Sequence, residues 1–310
     1  MIWLLIASLL WGPSFALIPI LLRDPHSMNA TTLAFFRMFY SFILFLPLLR
    51  VHVIARRKRV LLTGLGALQF GGMYVLLNLS YNFLVGTEVL MLTVFTPLYV
   101  TMLDLLITRK RGGWRMWTGV LLAVVGAAVI RYARPDSDHF WQGFFLMQGS
   151  NIAFALGQVG YRRLLPDMKR FGDMHVFGWM YLGAVIICGL FWIFFGEPID
   201  ALSRMREMSL SGWMILLWLG LVPSGLAFFL FNHGALLTSA TTLSIFNNLK
   251  IPLGMLTLML IFRMWDHIEN WPRFLIGAGL MLVALALNEQ NNLKRLAQRK
   301  ARHRKLNPTL

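Results

Sequence analysis

The stretch "FNNLKIPLG", residues 246–254, sets a lysine, two amides and a proline inside a run, about 238 to 263, that is otherwise apolar. The chemistry open to such residues is ionic and hydrogen-bonding. A charge at the middle of a bilayer costs at least about 2.5 kcal/mol, so Lys250 needs water, a counter-charge or an anionic solute. Pro252 has no amide hydrogen and so deprives the Asn248 carbonyl of its helical donor. Asn247 and Lys250 are spaced to share one helix face. We expect the side chains of Asn247, Asn248 and Lys250 to line a wet pocket at mid-depth. The competing expectation is a lysine that reaches an interface by its long stem or forms a structural salt bridge.

Arg37 is the second mid-span cation, and both substrate contact and structural or gating work are open to it. Glu88 falls about one turn inside its span. Its carboxylate could exchange protons, pair with a cation at a gate, or rest in headgroup water. Asp104, near the other end of that span, reads as interfacial, close to Arg109 and Lys110. Trp11, Asn78, Tyr81, Gln158 and Tyr161 are further candidates for substrate contact, with Tyr74 and Asn151 as additional cavity candidates. Pro97 and Pro252, with Glu88, are candidates for coupling or gating. Gly157 and Gly160 are expected to permit close helix approach. Two cations against one deep acid point to a solute that bears a carboxylate, a zwitterion included.

These side chains must be positioned by membrane helices. Of 310 residues, 57% are hydrophobic and 14% charged, against about a quarter charged in soluble domains. Ten apolar runs are long enough to cross the hydrocarbon: about 1–22, 28–49, 60–82, 87–107, 114–132, 139–161, 174–196, 211–232, 238–262 and 271–288. They lack the alternation of barrel strands. The expected class is all-α integral membrane. The net charge of +16 is topological: with the N-terminus inside, 20 of the 29 Lys and Arg fall on inner segments and 7 on outer ones. That bias puts both termini in the cytoplasm. The basic tail, 289–310, is expected to touch anionic lipid rather than nucleic acid. The segment 196–209 reads as a short amphipathic helix on the outer surface. The first run is expected to be a permanent span rather than a cleaved signal.

Pro97 aligns with Pro252, and "WTGVLLAVVGAAVI" from Trp117 with "LIGAGLMLVALAL" from Leu275. The pairing suggests two five-helix repeats, 1–135 and 136–288. Five is odd, so the copies would be inverted, with a site between them near the midplane. "WGPSF" (11–15), "FFR" (35–37), "TPLY" (96–99) and "WRMWTGVLLAVVGAAVI" (114–130) resemble the drug/metabolite transporter superfamily, in its EamA-type branch with ten spans. The resemblance covers nearly all of residues 1–288. It implies export or exchange of small organic metabolites, such as amino acids or carboxylates, by alternating access in a bacterial inner membrane. Multidrug efflux is the alternative, and a non-transporting receptor a more distant one. Self-association as a homodimer stays open. An enzyme is disfavoured: none of the seven histidines forms HExxH, and no Gly-x-Ser-x-Gly occurs. The single cysteine, Cys188, allows no internal disulfide. No cofactor or metal site is expected.

Overall fold

The computed structural model describes residues 2–23, 28–49, 54–109, 139–164 and 173–237 continuously, with isolated positions between 113 and 129 and between 246 and 283. Every regular element among the described residues is helical. The first span is α1 (Ile2–Trp11) and α2 (Ser14–Arg23); the second is α3 (Ala30–Phe45). The third joins α4 (Arg56–Gly66) and α5 (Met73–Ser80) through a π-helical segment, Ala67–Gly72. The fourth is α6 (Gly86–Leu92) and α7 (Phe95–Thr108). Next come α8 (Phe140–Leu164) and α9 (Asp173–Phe195). A short α10 (Pro198–Arg206) precedes α11 (Leu210–Leu219), which continues through a second π-helical segment, Gly220–Leu226, into α12 (Ala227–Leu237).

Six of these stretches are long and apolar enough to cross a bilayer: 2–22, 30–48, 56–80, 86–107, 174–195 and 210–237. The 25 residues of α8 also suffice at about 1.5 Å per residue across about 30 Å of hydrocarbon. The protein is a multi-pass integral membrane protein. Most of the expected fifth, ninth and tenth runs, and the basic tail, lie outside the described residues.

Helix ends follow their local chemistry. The Asn29 side chain caps α3, accepting from the Thr32 amide at 2.8 Å, and its amide donates to the Gly196 carbonyl at 2.8 Å. Ser209 caps α11 by accepting from the Gly212 amide at 3.2 Å. The expected helix near 196–209 exists as α10, held by an Asp200–Arg204 ion pair one turn apart.

Lipid is as apolar as leucine, so helices associate here by close packing. The third span and α9 approach through paired glycines. A Cβ on Gly66 would fall 1.9 Å from the Met180 carbonyl oxygen, and one on Gly183 would fall 1.8 Å from that of Thr63. Inside the bundle an aromatic stack, Phe45, Tyr181 and Phe70, runs across three spans at centroid separations of 5.2 and 4.9 Å.

Candidate functional site

Three interrupted helices frame a cavity. The first span breaks at Gly12–Pro13, where proline withholds an amide donor, so the expected single run is two helices with a turn between them. The fourth span breaks one turn before Pro97. The Thr96 amide bonds the Thr93 carbonyl at 3.0 Å, and the Leu92 carbonyl is taken by the Asn151 side chain at 2.9 Å. Asn151 also accepts from the Thr96 hydroxyl at 2.9 Å. The eighth span winds into its π segment around Pro223. Its displaced carbonyls find side-chain donors: Trp11 Nε1 to Pro223 at 2.9 Å, Ser41 to Gly220 at 2.8 Å, and the Tyr181 hydroxyl to Ser224. Irregular backbone at membrane depth is tolerated only when such partners exist.

The cavity holds about 560 Å³ of space free of protein atoms, its open mouth included. Trp11, Ser14, Phe15 and Ile18 face it from the first span; Met73, Tyr74 and Leu77 from the third; Thr93 and Thr96 from the fourth. Met147, Ser150, Asn151 and Phe154 of α8, together with Phe228, close much of the rest. The two cations complete the wall: Arg37 and Lys250 both line the cavity.

Arg37 is 1% exposed. Its Nε donates to the Ser224 hydroxyl at 3.0 Å, one Nη donates to the Tyr74 hydroxyl at 3.1 Å, and the guanidinium lies 4.3 Å from the Tyr74 ring centre. Ser224 in turn donates to Tyr74 at 3.0 Å. The other Nη is buried and has no hydrogen-bond partner among the described residues. Lys250 Nζ donates to Asn247 Oδ1 at 3.2 Å and stands 5.5 Å from the Trp11 ring centre. The neighbouring Phe246 carbonyl accepts from Ser8 at 2.6 Å, tying this segment to the first span. None of the described cavity-lining residues is acidic. The wall therefore suits a small anion with an apolar body and neutral hydrogen-bonding groups.

The other sequence candidates divide. Trp11 is on the wall, with its ring nitrogen committed to Pro223. Asn78 is fully buried one turn beyond Tyr74, and neither atom of its amide has a partner among the described residues; the Tyr81 hydroxyl, a turn beyond Leu77, is likewise buried and without such a partner. Neither is among the lining residues. Tyr161 packs edge-on to Phe177 at 5.7 Å, away from the cavity. Gln158 is buried one turn beyond Phe154. Glu88 accepts from the Val85 amide at 3.0 Å and so caps the start of α6. Asp104 meets Arg163 at 3.5 Å on an exposed face. Asn248 and Pro252 lie outside the described residues. Sequence reasoning did not single out Ser14, Thr93, Thr96, Ser150, Ser224 or Phe228. Among the described residues no group of His, Cys, Asp and Glu could hold a metal ion.

Comparison with known proteins gives a consistent picture. The EamA-like transporter family model matches residues 1–132. A biotin transporter of Salmonella typhimurium is 36% identical over 295 residues, covering 95% of each chain. A biotin transporter of Escherichia coli K12 is 36% identical over 282 residues, covering 91% of this chain and 90% of that protein. A solved crystal structure superposes with a TM-score of 0.63 at 16% identity, covering 94% of this chain and 98% of that one. That likeness concerns the fold alone.

Proposed function

This chain belongs to the EamA-like transporter family and is a transporter, not an enzyme; from that premise we propose that it carries biotin or a close chemical relative across the membrane. The observation that carries this reading is the unpartnered Nη of Arg37, buried on the wall of a cavity whose described lining has no carboxylate. A buried guanidinium edge without a partner is costly unless an anion visits it. Biotin offers a carboxylate on a short aliphatic chain, a thioether ring and a cyclic urea. The carboxylate would dock on Arg37, with Lys250 adding field from the opposite repeat. Phe15, Met73, Leu77, Met147 and Phe228 would contact the apolar body, and Thr96 and Asn151 would meet the urea. An amino acid fits less well. Its ammonium would need an acidic partner that the described wall lacks, and the relatives carry a different name.

Transport by alternating access between two inverted repeats accompanies this reading. The two π segments support it. They fall in the third and eighth spans, five apart, and begin 153 residues from one another, close to the offset of the two prolines. Inverted repeats supply two packings of similar energy with a site between them. The excess of Lys and Arg at the Arg56 and Arg162 end of the bundle supports a cytoplasmic position for that end.

Proteoliposomes loaded with labelled biotin test the proposal. The folded protein should move biotin, with the free acid competing and the uncharged methyl ester competing poorly. Solute offered on either side in turn reads the direction. Absence of biotin flux with folded protein would defeat the substrate assignment.

A further inference from the structure

A second cluster of buried polar atoms lies one helical turn from the cavity. Gln69 is 0% exposed, Gln158 1% and Asn232 0%. Each sits four residues from a cavity-lining residue on its own span: Met73, Phe154 and Phe228. All three are displaced the same way, toward the end of the bundle that carries Arg56 and Arg162. One turn is about 5.4 Å. Rings of Phe70, Phe154, Phe228 and Phe231 pack nearby, with Phe70 5.1 Å and Phe154 5.9 Å from Phe228, centre to centre. The third span and α8 meet closely at this level: a Cβ on Gly157 would fall 2.1 Å from Gln69 Cβ.

The three amides do not satisfy one another. Gln69 Nε2 donates to Gln158 Oε1 at 3.3 Å and toward Asn232 Oδ1 at 3.5 Å. Gln69 Oε1, Gln158 Nε2 and Asn232 Nδ2 are buried without a partner among the described residues. One acceptor and two donors are therefore left over, contributed by three different spans. Unmatched buried amides are costly and are rare in folded proteins. Nothing in local helix formation calls for them.

We propose that Gln69, Gln158 and Asn232 form a second binding station on the transport path, selective for a planar group with a carbonyl beside N–H donors, such as a urea. The inference rests on the transporter reading above and sharpens its substrate class. The Gln158 and Asn232 amides would donate to the urea oxygen, and Gln69 Oε1 would accept from a urea N–H. The station is closed in this conformation. It fills when the packing of the phenylalanine rings loosens and the acid leaves Arg37. The cavity thus anchors the charged end of the solute, and the triad takes over its ring from Thr96 and Asn151 as the solute advances.

Apolar near-isosteres test this. Gln158→Met and Asn232→Leu remove hydrogen bonding while keeping volume. Each should melt close to or above the wild-type temperature, because an unmatched donor is gone and Gln69 Nε2 keeps its other acceptor. Labelled biotin should still bind in detergent within about threefold, while flux in proteoliposomes falls about tenfold or more, the worth of one to two hydrogen bonds. Flux within about twofold of wild type would overturn the station. So would a fall in melting temperature that tracks the loss of flux, since the triad would then be a structural staple. A second arm keeps this separate from the substrate assignment. In a Cys188→Ala background, Asn232→Cys should react with a small methanethiosulfonate, as Ser150→Cys in the cavity should. Reaction at position 150 without reaction at 232 would overturn the station. If wild type moves no biotin, the substrate assignment fails and the labelling arm still decides the station.

Discussion

Arg37 and Lys250 stand on one cavity wall, yet they are held in different ways. Arg37 is locked by Ser224 from the eighth span and by Tyr74 from the third, through two hydrogen bonds and a ring face. Lys250 has one hydrogen bond, to Asn247 on its own segment, and a more distant ring. A planar fork clamped on one edge leaves its other edge aimed and pre-organised. An ammonium on a flexible stem can follow a ligand but loses more freedom when it does so. On the proposed reading the two cations would divide the work: Arg37 would orient the carboxylate, and Lys250 would contribute adaptable charge.

The strongest way to break this division is Arg37→Met. It removes one or two charge-assisted hydrogen bonds to the solute, each about 1.5–3 kcal/mol, so transport should fall about 100-fold. Arg37→Lys should not rescue it, because an ammonium is a point charge on a flexible stem and lacks the planar fork that binds Ser224 and Tyr74 while aiming its free edge at the carboxylate. Flux with the lysine variant near wild type would mean that charge alone suffices.

Lys250→Met should cost less, about tenfold in apparent affinity, or about 1.4 kcal/mol. Protein level and melting temperature should hold or rise, since a buried cation without a carboxylate is removed. A loss equal to that of Arg37→Met would erase the division between the two residues.

Ser41→Ala probes the support of Arg37 rather than its contact. The Ser41 hydroxyl donates to Gly220 at the head of the π segment that carries Ser224. Losing that bond should cost about 1 kcal/mol of stability, read as a lower melting temperature in detergent. In double-mutant cycles on transport, Ser41→Ala should be non-additive with Arg37→Met and additive with Lys250→Met. Additivity with both would detach the π segment from the anchoring of Arg37.

Sequence alone disclosed one half of this site better than the other. Charges within apolar runs are single-residue signals, and Arg37 and Lys250 carry them. Run length and composition sufficed for the membrane class. Ser14, Thr93, Thr96 and Ser224 carried no such signal, because Ser and Thr in spans commonly bond their own helix carbonyls. Thr93 does so here, to Leu90 at 2.7 Å, while also facing the cavity. Pro97 advertised a break. That Asn151 would catch the freed Leu92 carbonyl depends on how two helices dock, which no local pattern encodes. Tyr161 was misleading for the same reason: an aromatic in a span points wherever its helix is rotated, and here it meets Phe177. Gln158 was legible as a polar residue, but its meeting with Gln69 and Asn232 was not.

The smallest expected effect asks whether the cations share a counter-charge on the protein. Glu88 is the acid that sequence offered for that part. Its carboxylate instead accepts the Val85 amide at 3.0 Å at the start of α6. Glutamine performs the same capping, so Glu88→Gln should keep the amide bond and weaken the interaction of a negative charge with the helix dipole. That is worth about 0.3–1 kcal/mol near a helix N-terminus. The melting temperature should drop slightly, and the ratio of Arg37→Met to Lys250→Met effects should stay unchanged. If Glu88 were the counter-charge of either cation, neutralising it would strand a buried positive charge, at about 3–5 kcal/mol. It would also flatten the effect of whichever cation it served. A large loss of stability in Glu88→Gln, or collapse of that ratio, would mean that one cation is occupied by the protein and unavailable to the solute.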